Sequence, residues 1–223
     1  MWWLLIPAAY LLGSLSFAYW AGRLNGKDLR QHGSGNLGAT NAGRVLGWRW
    51  FALVFILDLA KGALPVLAAA WHLDQTMQQQ GSIASLQFLP IATAAAAVLG
   101  HVFTCFHGFK GGKAVATSLG VLIGLAPLAA ALILACWLLV WCAVWAVLRL
   151  GKSDAVGPAS ILAALAAVPA YLLTANPVLS PTLWFLALLS LLILIKHRTN
   201  FGKFIAQIRA KPPASSLQPP AKQ

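Results

Sequence analysis

The chain contains no glutamate. Its only acids are Asp28, Asp58, Asp74 and Asp154, against 16 lysines and arginines, which leaves a net charge of +12 over 223 residues. Charged residues of either sign make up 9% of the sequence, too few to solvate the surface of a water-soluble domain. Cysteine is equally sparse. Cys105, Cys136 and Cys142 form neither a C-x-x-C pair nor a zinc-ligand spacing, which excludes a disulfide framework and a zinc finger. All three read as structural. The basic balance reflects missing acids as much as surplus bases. It suits a surface of anionic lipid and phosphate-bearing substrates better than a nucleic acid.

What is present is apolar: 60% of residues are hydrophobic and the mean hydropathy is +0.77. This composition implies an all-α polytopic membrane protein embedded in a lipid bilayer. A span needs about 20 apolar residues, which places helices near 2–21, 48–72, 83–103, 127–149, 155–174 and 181–196. The apolar segment 113–125 reaches only about 20 Å as a helix, and Pro127 separates it from the next one. It is either a thin span or a re-entrant half-helix, and counting it gives seven. The first run has no basic residues before it and reads as a retained helix rather than a cleaved signal. The ten tryptophans read as interface belt and packing residues.

Lysine and arginine set the orientation. With seven spans, every base except Lys61 falls on one side, which should be the cytoplasm, with the N-terminus outside and the C-terminus inside. The expected organisation is one membrane domain over 1–205 and a tail over 206–223. The Pro/Ser/Gln-rich end of that tail, "KPPASSLQPPAKQ", predicts disorder.

Three polar islands fall on the same face. The first, "HGSGNLGATNAGR" (32–44), contains G-x-G-x-x-G, but a membrane helix precedes it where a dinucleotide-binding βαβ unit needs a strand. Its glycines, among them Gly35 and Gly38, permit a turning backbone. With Ser34, Asn36, Thr40 and Asn41, successive N–H groups can form an anion nest, with Arg44 as a bidentate phosphate partner. The second, "GHVFTCFHGFKGGKAVAT" (100–117), has His107 and Ala114 where a P-loop requires glycine and Ser or Thr, which argues against a nucleoside triphosphatase. Lys110, Gly111, Gly112 and Lys113 still suit phosphate, and a helix starting near Lys113 would point its positive end at that site. His101 borders this island as a catalytic candidate. The third, "KHRTNFGK" (196–203), holds His197, Arg198 and Asn200. Inside the second span, Asp58 and Lys61 share one helical face. Either alone costs about 2.5–3.5 kcal/mol in a membrane, so the two should pair or face a polar cavity.

Together the islands resemble the bacterial membrane acyl-phosphate:glycerol-3-phosphate acyltransferases, over nearly the whole chain up to about residue 205. "GSGNLGATNAGR", "GHVFTCFHGFKGGKAVAT" and "KHRTNF" look like that family's three motifs, and "LDLAKG" (57–62), with Lys61, matches a lesser one. "AVGPASI" (155–161) looks like the start of its sixth helix, with Ser160 at the position of a functional serine. Thr104 stands where a proline is usual, and Ala114 where glycine usually follows the motif lysine. After Asn200, "GKFIAQ" lacks the usual arginine. The resemblance implies transfer of a fatty acyl group from acyl phosphate to the 1-hydroxyl of glycerol 3-phosphate, giving lysophosphatidic acid and phosphate, with no metal or coenzyme. His101, His197 or the acyl phosphate itself would take the hydroxyl proton. None of the five histidines is followed five residues later by aspartate, the motif of the other glycerolipid acyltransferases. The competing reading is a transporter for an anionic solute, which also uses broken helices and basic residues. It would want polar groups at the midplane, where Asp58 and Lys61 are almost the only ionisable ones.

Overall fold

The computed structural model describes residues 2–80, 86–148, 151–175 and 180–209, except the side chains of 80, 148 and 207–209. The described residues form helices and loops, without a strand. The first apolar run is two helices, α1 (Leu5–Ser14) and α2 (Phe17–Leu24). Between them Leu15 is extended, and the Ser16 side chain caps α2 by accepting the N–H of Tyr19 at 3.3 Å. The remaining helices are α3 (Ala39–Leu46), α4 (Trp48–Gln80), α5 (Leu89–Val102), α6 (Val115–Leu125), α7 (Pro127–Leu148), α8 (Lys152–Thr174) and α9 (Pro181–Arg209). Six stretches are long and apolar enough to cross a membrane, with Trp2–Leu24 counted as one, and α6 is shorter.

Hydropathy finds where these helices lie but not where they end. α4 continues past residue 72 because "HLDQTMQQQ" is helix-favouring and bonded internally: Gln78 donates to Asp74 at 2.8 Å and Thr76 to the His72 carbonyl at 2.9 Å. α9 likewise passes residue 196, taking in the first four residues of the expected tail. From 210 onward that tail lies outside the described residues, as does the expected start of the third span at 83–85. α3 holds the second half of the first polar island. Only half of its eight residues are apolar, so hydropathy does not mark it, yet it buries Ala39 and Ala42.

Small residues bring the helices together. A side chain on Gly62 of α4 would collide with the Thr117 backbone of α6; along α6, one on Gly120 would meet Leu59 and Ala63 and one on Gly124 would meet Val66, so the two helices run parallel in close contact. The core is alanine-rich, with Ala94 and Ala97 of α5 and Ala163, Ala164 and Ala167 of α8 buried. Large apolar side chains point outward instead, including Leu139, Val147, Leu173 and Trp184, as a lipid-facing surface requires. This arrangement puts the ends of α2, α5 and α9 and the starts of α3, α6 and α8 at one end of the bundle. The three islands occupy those positions.

Candidate active site

The first island is built around Asn41. Gly33 and Gly35 have φ of +64° and +72°, in the left-handed region that favours glycine, and the loop curls back over the start of α3. The buried Asn41 amide donates to the carbonyls of Leu29 and His32, both at 3.0 Å, and accepts the N–H of Ser34 at 2.8 Å. The N–H of Gly35 bonds to His32 and that of Gly38 to Asn36. Three of the N–H groups expected to form an anion nest are therefore engaged elsewhere. Ser34, Gly35 and Gly38 direct their N–H groups into the loop itself, and Asn41 acts through the scaffold. From this island the cavity is lined by Ser34, Asn36, Thr40, Asn41 and Arg44, with Gly33 and Gly38 at its wall and Gly35 outside it. Ahead of the loop, hydrogen bonds from Arg30 hold the Asp28 carboxyl well below the usual carboxylate range.

The second island also differs from its expected role. The N–H groups of Gly111 and Gly112 donate to the carbonyls of Val102 and His101, both at 3.1 Å. A side chain at Gly111 would strike the His101 backbone, and one at Gly112 would strike the His101 ring and the Leu37 carbonyl. The paired glycines allow the arm to lie flat on His101, and neither lines the main cavity. Lys110 is exposed and outside it, while Lys113 turns inward to donate to Asn200 Oδ1 at 2.6 Å. Ala114 has φ +60° and ψ 14°, a conformation that favours glycine and costs an L-residue about 1–2 kcal/mol. Glycine, the residue the resemblance implies there, would take that geometry without strain. Thr104, with φ −63°, holds the angle of a proline, and its hydroxyl donates to the Ser14 carbonyl at 2.6 Å.

From α9, His197 and Asn200 face the cavity on successive turns, followed by Lys203 and Phe204. Arg198 points outward, and Lys196 lies over the Phe103 ring. The buried His197 Nδ1 is 2.9 Å from the Ile193 carbonyl. A carbonyl only accepts, so Nδ1 carries the hydrogen and the neutral ring keeps a lone pair on Nε2. From α8, Ser160 donates to the Val156 carbonyl at 2.8 Å and accepts from Trp137 Nε1 at 3.1 Å, so this tryptophan is a cavity-wall residue rather than interface belt. Deeper in, Lys61 bonds to Asp58 and to the Leu15 carbonyl, and it does not line the main cavity. His101 Nδ1 lies 3.2 Å from Thr117 Oγ1 and 3.7 Å from Asp58.

These groups enclose a cavity of about 590 Å³. Its polar end carries Arg44, Lys113 and Lys203. Its other walls are apolar, formed by Ile133, Leu134, Leu138, Ala163, Leu189 and neighbours from α7, α8 and α9. Lys113 is pulled down to about 8, first by desolvation and then by the charges of Lys203, Lys196 and Arg44. A site that crowds cations to this degree is built to receive an anion. The sequence marks Lys203 only as a topological charge, because the apolar run of the last helix ends at 196. Continued at helical period, the pattern places Lys203 beside His197 and Asn200. Asp154, which meets Arg44 from 110 residues away, carries no local signal.

An anion-binding end joined to an apolar groove, set among helices of membrane length, defines an integral-membrane protein with a site for an amphiphilic anion. The particular family follows from comparison. Residues 3–207 match the glycerol-3-phosphate acyltransferase family, and the chain belongs to it. A glycerol-3-phosphate acyltransferase of Pseudomonas savastanoi pv. phaseolicola is 44% identical over 212 residues, covering 92% of this chain and 95% of that one. One from Aquifex aeolicus is 37% identical over 203 residues, covering 90% and 94%. The crystal structure of PlsY, an integral membrane glycerol 3-phosphate acyltransferase, in its glycerol 3-phosphate form superposes with a TM-score of 0.72 at 36% identity over 91% of both chains. Its lysophosphatidic acid form gives 0.69 at 34% over the same share.

Proposed function

We propose that this chain transfers a fatty acyl group from acyl phosphate to the sn-1 hydroxyl of glycerol 3-phosphate, releasing lysophosphatidic acid and inorganic phosphate. The observation that carries this reading is the division of one cavity into a cationic end and an apolar groove. The first suits two phosphate headgroups and the second an acyl chain. Acyl phosphate is a mixed anhydride with a good leaving group, so no covalent enzyme intermediate is needed. The glycerol oxygen attacks the acyl carbon, the carbon–oxygen bond to phosphate breaks, and the phosphate departs with the bonding pair. Positioning and preorganised charge supply the rate. Arg44, Lys113 and Lys203 neutralise the headgroups, Ser34, Asn36, Thr40 and Ser160 orient them, and Asn200 holds Lys113 in place. The hydroxyl proton goes to His197 Nε2 or to the departing phosphate. His101, its ring against Gly112 and its Nδ1 beside Thr117, positions the glycine arm.

The same reading sets the polar end in the cytoplasm of a bacterial inner membrane, the N-terminus outside, and α6 as a seventh, short crossing. Support comes from the side on which lysine and arginine collect and from the parallel course of α4 and α6. An anion transporter fits less well, because the groove beyond the cations is apolar.

The test is purified protein in detergent with labelled glycerol 3-phosphate. Acyl phosphate and acyl coenzyme A are supplied in parallel at equal concentration. Labelled lysophosphatidate should form with acyl phosphate alone. Comparable rates with the thioester would remove the assigned leaving group, and no labelled lipid from either donor would remove the acyltransfer reading for this chain.

A further inference from the structure

Arg44 on α3 and Asp154 in the first turn of α8 both face the cavity, and Arg44 Nη2 donates to Asp154 Oδ1 at 3.2 Å. This pair differs from the other arginine–aspartate pair among the described residues. Arg30 grips Asp28 through Nε and Nη2, at 2.9 Å to Oδ1 and 2.6 Å to Oδ2. Arg44 lines the cavity and makes one long contact to Asp154, through Nη2 alone. Both side chains keep solvent access, at 32% and 39% exposure, so parting them buries no charge. Asp58 is the other acid lining the cavity among the described residues, and Lys61 already holds it.

We propose that Asp154 is a displaceable counter-ion, a positioning residue that holds on Arg44, whenever phosphate is not bound, the place a phosphate takes. This inference rests on the proposed function only in treating Arg44 as a phosphate ligand. A carboxylate there keeps the guanidinium extended across the cavity mouth, ready for a planar, bidentate partner. When phosphate arrives, two anions compete for one fork. The weaker, single contact yields, and Asp154 falls back toward the start of its own helix, where the N-terminal dipole favours a negative charge. The same competition acts on the product: Asp154 returns to Arg44 as inorganic phosphate leaves. Asp154 therefore weakens retention of substrate phosphate and of product phosphate together.

The experiment uses the full chain in detergent, as wild type, Asp154→Asn and Asp154→Glu. Asparagine keeps the shape and the helix-start preference of aspartate but not its charge. In Asp154→Asn, KM for glycerol 3-phosphate should fall about two- to fivefold, and inhibition by inorganic phosphate should strengthen by a similar factor. That is the range expected of a half-exposed ion pair. Asp154→Glu should stay near wild type. A purely structural aspartate would give the opposite sign, a KM that rises or holds while kcat falls. A KM and phosphate inhibition that are unchanged or weaker in Asp154→Asn overturn the proposal. Calorimetric titration with inorganic phosphate repeats the comparison without turnover. If the wild type makes no lipid at all, the acyltransfer reading fails, and the titration still decides whether Asp154 competes for Arg44.

Discussion

Asp58 and Lys61 form an ion pair of 2.8 Å one turn apart in α4, and their side chains are 3% and 2% exposed. Lys61 also donates to the Leu15 carbonyl at 2.7 Å, at the break between α1 and α2. The pair thus ties the first membrane segment to the second, beside His101. Lys61→Met leaves a buried carboxylate without its cation and should cost about 3–5 kcal/mol. Thermal unfolding in detergent should show a clear fall in Tm, and the double variant Asp58→Asn/Lys61→Met should recover part of it. An unchanged Tm in the single variant would mean that the pair contributes nothing to stability.

Gly112→Ala places a methyl group against the His101 ring and the Leu37 carbonyl. The arm carrying Lys113 must shift, and displacements of about 1 Å in a reacting site cost up to a hundredfold in rate. A fall of about tenfold to a hundredfold in kcat/KM is expected. Gly202→Ala, where nothing lies within 4 Å, is the control and should match wild type. Equal rates for the two variants would release Gly112 from any role in positioning.

Desolvation and the neighbouring cations pull Lys113 down to about 8. Its protonated form is the one that pairs with phosphate, so kcat/KM for glycerol 3-phosphate should fall as pH rises through about 8. Bound phosphate stabilises the ammonium, so substrate binding above that pH takes up a proton. Lys113→Arg stays charged and should remove this limb of the profile, at some cost in geometry. A limb at the same pH in Lys113→Arg would assign it to another group.

Arg44→Lys keeps the charge but loses the planar fork. A loss of about tenfold in kcat/KM is expected, equivalent to about 1.4 kcal/mol. Wild-type kinetics would reduce Arg44 to a charge that sets topology.

Orientation is open to chemical labelling. In a variant without Cys105, Cys136 and Cys142, cysteines at the exposed positions Gly202 and Gln79 should react oppositely with an impermeant reagent on intact cells: position 79 labels and position 202 does not. Label at 202 from outside would reverse the assigned sidedness.

The membrane helices were legible because their apolar runs are long and their cations collect at alternate connections. The site was legible as three polar islands in a chain that has little else polar. Pairings across sequence distance were not. Nothing near Gly111 indicates that it packs on His101, and nothing near Arg44 indicates Asp154. Boundaries failed where polar residues continue a helix, at His72 onward in α4 and at His197 onward in α9. There the helix has left its apolar surroundings without ending, and hydropathy registers only the first event.

α4 has a mechanical consequence. Its 33 residues measure about 50 Å, against about 30 Å of hydrocarbon. Tilt alone would have to exceed 50° to hide that length, beyond the roughly 40° limit of membrane helices. The polar stretch beyond His72, whose ring stacks on Trp2 at 3.7 Å, supplies the excess length as a stalk at the end of α4 away from the cations. α4 continues through Pro65, which lies between Lys61 and the stalk and takes one backbone donor out of the helix, so a helical fusion grafted onto the stalk would be tied to the site through a single helix whose weakest turn is at Pro65. It would give this small, nearly featureless membrane body a fiducial for imaging its substrate-bound states.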